Sequence, residues 1–236
     1  MQRLHPAPAA FVDDDELRAA YLMPDSSSWR DGRWLRANFV MSLDGAIIGP
    51  DGVSEHLGTE ADRRVFSLAR ELSDVVLVGA GTLRAEDYRA SRRPLAIVTR
   101  TMDLAPELRV FADRGPEHVR PMVMTTDRAL RAAPEWLREE AVLVPCGADE
   151  VDLVRVLDHL TSLGLPKILC EGGPALLTDL LTADLIDEVL LTIAPRLVGG
   201  DAHLVYLPGG MHPPLRFSTA QVLEHDGTVL SRLLRS

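Results

Sequence analysis

From Trp34 onward the apolar positions of this chain alternate between two patterns: short, mainly apolar stretches, and longer ones repeating every three or four residues. The short stretches at 34–41, 74–78, 95–99, 121–125, 141–145 and 167–170 have the length and composition of strands, and 74–78 reads as a buried one. Between them, 60–72 places Ala61, Val65, Leu68, Ala69 and Leu72 on one helical face, and 151–163 and 175–181 repeat that form. Strands separated by helices predict a mainly parallel sheet covered on both faces. After Asp187 the helical period stops. Residues 188–194, 215–224 and 228–234 read as strands, and Asp226-Gly227 is a hairpin turn between the last two, so the C-terminal end adds antiparallel strands.

Residues 1–33 show little periodicity and read as an N-terminal arm to a single domain at 34–236. Within the arm, the acidic run Asp13-Asp14-Asp15-Glu16 opens a short helix to Tyr21, because carboxylates favour a helix start, and 24–28 is a turn.

Composition narrows the function classes. A 236-residue chain with 46% hydrophobic and 25% charged residues buries a sizeable core and is ordinary for a globular enzyme. Its net charge of −10 argues against general nucleic-acid binding, which needs a basic face. Cys146 and Cys170 match no zinc spacing, and the seven histidines, at 5, 56, 118, 159, 203, 212 and 225, show no helical metal spacing, so no metal is expected. With no signal peptide and no run long enough to span a membrane, the expectation is a cytoplasmic protein.

Three stretches carry candidate chemistry. Two strand ends run into glycine turns: Gly79-Ala80-Gly81-Thr82, and Glu171-Gly172-Gly173-Pro174 ahead of a helix. Paired glycines let backbone approach a ligand closely, and a helix start offers free N–H groups to an anion. Neither turn is a GxGxxG fingerprint or a P-loop. Ligands of open α/β sheets bind outside the carboxyl ends of strands, so two such turns suit the two ends of one pyrophosphate, with Thr82 adding a hydroxyl. The third stretch is 38–45, where Asn38 and Ser42 fall on one strand face and Asp44-Gly45 closes the strand.

Those residues also carry a resemblance. The stretch from Asn38 to Gly45, then Arg63, Arg70 and Asp74, then the two glycine turns, Leu185-Ile186-Asp187-Glu188, and Ala194-Pro195 with Gly199-Gly200 follow in the order of one family. Across 34–235 the chain resembles the reductase domain of bifunctional riboflavin-biosynthesis proteins, itself similar to dihydrofolate reductase. The resemblance implies a three-layer α/β/α fold with a mixed, mostly parallel sheet, and a homodimer. It implies NADPH-dependent reduction of 5-amino-6-(5-phosphoribosylamino)uracil, ribosyl to ribityl. The zinc motif of the partner deaminase domain does not occur in this chain.

On that resemblance Gly79, Gly81, Thr82, Gly172 and Gly173 hold the cofactor's pyrophosphate, while Thr99 and Arg100 meet its adenosine 2′-phosphate. Asn38, Ser42, Asp44 and Thr59 line the substrate side, and Arg63 holds the substrate phosphate with Arg64 as the solvent-facing member of the pair, although the sequence alone allows a one-residue slip between them. Asp44 and Glu171 are the acids expected in catalysis. Glu171 would orient the substrate or relay a proton, since desolvation beside a cofactor raises a carboxyl pKa. Two departures stand out: Ala46 follows Asp-Gly where many members carry Lys or Arg, and Glu86-Asp87-Tyr88 replaces Asp-Asp-Pro. The first leaves open a reductase of dihydrofolate or another heterocycle or imine, and a non-catalytic nucleotide-binding protein is the alternative of another class.

Overall fold

The computed structural model describes residues 1–49, 53–54, 56–86, 88–89, 92–113, 115, 119–199, 210 and 213–236. Asp87, Gly200 and the histidines at 118, 203 and 212 lie outside the described residues. In chain order the elements are β1 (Gln2–His5), β2 (Ala10–Phe11), α1 (Asp14–Tyr21), β3 (Trp34–Met41), α2 (Glu60–Glu71), β4 (Val75–Gly79) and α3 (Ala80–Ala85). They continue with β5 (Leu95–Val98), α4 (Arg109–Ala112), β6 (Met122–Thr125), α5 (Asp127–Arg131), α6 (Glu135–Glu140), β7 (Val142–Pro145) and α7 (Leu153–Ser162). The chain closes with β8 (Lys167–Gly172), α8 (Pro174–Thr182), β9 (Glu188–Ile193), β10 (Phe217–His225) and β11 (Thr228–Arg235).

The described strands make one sheet in the order β2-β1-β10-β11-β9-β3-β8-β4-β5-β6-β7. From β9 to β7 every pairing is parallel, and from β2 to β9 every pairing is antiparallel, so the expected mixed, mostly parallel sheet is what forms. Asp226 and Gly227 both have positive φ, 48° and 78°, as a two-residue turn between twisted strands requires. Helices cover both faces. Leu35, Ala37 and Phe39 of β3 pack with α7 and α8 on one face. On the other, Ala61, Val65 and Ala69 of α2 pack over Leu169, Leu190 and Leu230, and α3, α4 and α6 cover β4 to β6.

The helical stripe read for 60–72 is the buried face of α2, but it contains one polar member. Asp62 lies three and seven residues before Val65 and Ala69 and is buried with them.

Residues 1–33 are built into the domain. β1 pairs with β10, and Val12, Leu17 and Tyr21 join the core beneath α2. Two arginines close the end of α1: Arg36 donates to the Tyr21 carbonyl at 2.7 Å, and Arg232 to the carbonyls of Ala20 and Leu22. Glu188, fully buried between them, pairs with both. That anchor needs tertiary partners from three strands, so local periodicity carries no trace of it.

Candidate active site

β4 and β8 are adjacent parallel strands, so their glycine turns emerge side by side. A Cβ on Gly79 would lie 3.4 Å from the Gly173 nitrogen and 3.7 Å from the Gly172 oxygen. A Cβ on Gly173 would lie 2.4 Å from the Thr82 hydroxyl oxygen, a distance no side chain tolerates. Gly172 has φ of 126°, outside the range of L side chains, and the Gly172–Gly173 peptide is cis. Gly81 differs: a Cβ there meets nothing within 4 Å. Internal packing explains Gly173 and backbone conformation explains Gly172, whereas a Cβ at Gly79 would make only ordinary contacts and one at Gly81 none. Gly79 caps α3 and Gly173 caps α8, with Pro174 in its first turn, and neither cap uses a side chain. The N–H groups at both helix starts are therefore available to a ligand.

Below this corner the carboxylate of Glu171 is buried, its side chain 1% exposed. Arg70 of α2 donates to it twice, Nε to Oε1 and NH2 to Oε2, both at 2.6 Å, and the Tyr88 hydroxyl donates to Oε2 at 2.8 Å. The Arg70 guanidinium lies 4.4 Å over the Phe66 ring and 5.6 Å from Tyr88's. Burial and the facing Glu171 charge push the Tyr88 hydroxyl well above its ordinary pKa, so it stays a donor. Glu171 thus ties α2 and the segment after α3 to the end of β8. This corrects the expectation of a free proton relay: its oxygens are committed to a bidentate arginine and a phenol.

Three of the residues expected on the substrate side, Asn38, Ser42 and Asp44, lie on or just past β3. Asn38 is buried and points to the α2 face, since Leu35, Ala37 and Phe39 take the other. Ser42, expected on the same strand face as Asn38, has its hydroxyl committed within the chain. It lies just past β3, where its hydroxyl donates to Asp44 at 2.6 Å and accepts the Ala46 amide at 2.9 Å. Asp44 also accepts the amides of Val198 and Gly199, at 3.2 and 2.6 Å. These donors hold its pKa down to about 2. It latches the 42–46 turn to the 194–199 loop, and an acid so depressed is no proton donor near neutrality. Thr59 caps α2 by accepting the Asp62 amide at 3.2 Å.

The two arginines of α2 divide as follows. Arg64 is paired with Asp14 of α1, whereas Arg63, also exposed, donates among the described residues to the Gly58 carbonyl at 3.2 Å. Beneath Arg63, burial raises the pKa of Asp62 against the opposing hydrogen bond from the Thr192 hydroxyl. Sequence reasoning passed over Asp62, although its place on the α2 stripe was the signal.

Thr99 and Arg100 follow β5. Thr99 is buried and its hydroxyl oxygen accepts the Met102 amide at 3.0 Å, fixing the turn. Arg100 is exposed and pairs with Glu150 at 3.0 Å across the surface, a contact worth little and readily exchanged. Among the described residues no group of three or more metal-ligating side chains gathers, and no helix is long and apolar enough to cross a membrane.

Residues 33–229 match the RibD C-terminal domain family. A 2,5-diamino-6-ribosylamino-4(3H)-pyrimidinone 5′-phosphate reductase of Methanothermobacter thermautotrophicus is 37% identical over 173 residues, 69% of this chain and 78% of that protein. The riboflavin biosynthesis protein RibD of Escherichia coli is 30% identical over 194 residues, 75% of this chain but 52% of that protein, so the chain spans about half of it. Among solved structures, a pyrimidine reductase-like protein of Corynebacterium diphtheriae superposes with a TM-score of 0.79 at 20% identity, over 93% of this chain and 98% of that one.

Proposed function

This chain belongs to the RibD C-terminal domain family, and we propose that it is an NADPH-dependent reductase of riboflavin biosynthesis acting on a phosphoribosylamino-pyrimidine. The observation that carries this reading is the glycine corner: Gly79 against Gly172 and Gly173, with the Thr82 hydroxyl where a Gly173 side chain would be. Such a corner fits an extended pyrophosphate, and the open space at Gly81 fits a ligand lying directly on the backbone. When bound, the cofactor supplies the hydride.

The chain's own residues supply position and charge. Amides at the starts of α3 and α8 hold the anion, and Arg100, turning from Glu150, meets a 2′-phosphate. Arg70, Tyr88 and Glu171 fix the end of β8 and with it the Gly172–Gly173 turn. Asn38 lines the substrate side beside α2, and Arg63 takes the substrate phosphate. Orientation of this kind is what a protein contributes to hydride transfer. The homodimer implied by the resemblance and the cytoplasmic location expected from the sequence belong to this reading, and light scattering tests the first.

The test is NADPH oxidation followed at the nicotinamide absorbance. Three substrates are compared: 2,5-diamino-6-ribosylamino-4(3H)-pyrimidinone 5′-phosphate, 5-amino-6-(5-phosphoribosylamino)uracil and dihydrofolate. Turnover with either pyrimidine supports the proposal and says whether reduction precedes or follows deamination. Turnover with dihydrofolate alone overturns it, and tight NADPH binding without turnover of any of them favours a nucleotide-binding protein.

A further inference from the structure

The 56–58 segment is gripped from two sides by arginines from different parts of the fold. Arg63, in the first turn of α2, donates to the Gly58 carbonyl, and Arg196, on the loop after β9, donates to the His56 carbonyl. The two acceptors belong to residues two apart, whose Cα atoms lie at most about 7 Å from each other. Two guanidinium groups therefore converge at the start of α2, on the substrate side of the corner.

Both side chains are exposed, and among the described residues neither forms an ion pair, in contrast to Arg64 with Asp14, Arg70 with Glu171 and Arg232 with Glu188. The nearby acids are committed elsewhere. Asp62 is held by Thr192, and Asp44 by Ser42, Val198 and Gly199. Arg63 also feels the Asp62 charge, but among the described residues both guanidinium groups spend their hydrogen bonds on carbonyls, and bonds to a carbonyl are weaker than charge-assisted bonds to a phosphate.

The backbone at Arg196 is pinned while its exposed side chain reaches the His56 carbonyl. Its carbonyl accepts the Leu43 amide at 2.8 Å, its amide donates to Ala194 at 2.7 Å, and the Asp44 latch holds the next two residues but one. The 42–46 turn that meets this loop buries Ala46, 3% exposed. That position supplies no charge here.

We propose that Arg196 is a substrate-binding residue that closes, with Arg63, a two-arginine clamp on the 5′-phosphate of the substrate. This rests on the reductase reading above and adds to it the residue that makes the enzyme selective for the phosphorylated pyrimidine.

The experiment compares wild type, Arg196→Ala and Arg196→Lys on the phosphorylated pyrimidine and on its dephosphorylated counterpart. The NADPH Kd is measured for each. One lost charge-assisted contact predicts that Arg196→Ala lowers the ratio of kcat/KM for phosphorylated over dephosphorylated substrate by about 10-fold or more, through KM. Arg196→Lys recovers part of the loss, and the NADPH Kd stays put. An equal fall on both substrates shows that Arg196 only holds the 56–58 segment and overturns the clamp, as does an unchanged ratio. Wild type that turns over dihydrofolate but neither pyrimidine refutes the reductase reading itself, a result distinct from a clamp failure in a working enzyme.

Discussion

Replacing Glu171 with Gln separates a positioning role from a catalytic one. The substitution keeps shape and one acceptor but removes the charge and turns an amide N–H₂ toward an Arg70 donor now 2.6 Å away. Breaking a fully buried ion pair costs about 3–5 kcal/mol, and a surface pair is worth about 0–1. Here Glu171 is 1% exposed and Arg70 is 40% exposed, so the loss lies between, and the Tyr88 bond at 2.8 Å weakens with it. We expect about 2–3 kcal/mol, read by urea unfolding with an unchanged m-value. Arg70→Met should cost a similar amount, and the double variant less than the sum, with a coupling of about 1–2 kcal/mol. Activity should fall through weaker NADPH binding, because the Gly172–Gly173 turn loses its support. The reasoning is refuted if Glu171→Gln stays within about 0.5 kcal/mol of wild type while kcat drops steeply at saturating NADPH, since that pattern belongs to a group acting on the substrate.

Gly81→Ala meets no atom within 4 Å and should leave the fold as stable or firmer by about 0.5–1 kcal/mol, yet weaken NADPH; unchanged affinity by titration would remove Gly81 from the site. Gly173→Ala, whose Cβ falls 2.4 Å from the Thr82 oxygen, should lose both stability and NADPH binding, and adding Thr82→Ala should restore part of the stability but not the binding. Arg100→Ala should lower the preference for NADPH over NADH about 10-fold or more, with stability within about 0.5 kcal/mol because its pair with Glu150 is exposed; equal loss with both cofactors would contradict the assignment. The Asp44 pKa is depressed to about 2, so its latch stabilises the fold above the ordinary carboxylate range and fades as pH falls toward 2. Asp44→Asn should therefore be less stable than wild type at neutral pH, with the gap narrowing below about pH 4; a gap independent of pH would show that the charge is not what the latch uses.

The sheet and its helices were legible in the sequence because each strand is buried on a predictable face and each helix repeats its apolar positions. The run at 34–41 is β3, the 60–72 stripe is α2, and Asp226-Gly227 is the hairpin of β10 and β11. Short elements were not: α3, α4, α5 and α6 hold four to six residues each, too few to show a period. Nor were β1, whose partner β10 lies more than 200 residues away in the chain, and the two-residue β2 that pairs with it.

For the site, the sequence by itself determined the two glycine turns and the strands that end in them, because a close approach of backbone demands glycine and local pattern reveals where strands stop. It determined Arg63 and Arg64 as candidates and could not divide them. Only the tertiary structure decided that Arg64 belongs to Asp14, that Asp44 is a latch, that Glu171 is bound by Arg70 and Tyr88, and that Arg196 meets Arg63 at 56–58. A charged side chain's role is set by which polar partner reaches it, and the partners of Arg64, Glu171 and Arg196, and of Asp44 on the 194–199 loop, lie 50 to 155 positions away. Backbone requirements are written locally, whereas the commitments of charges are made across the fold.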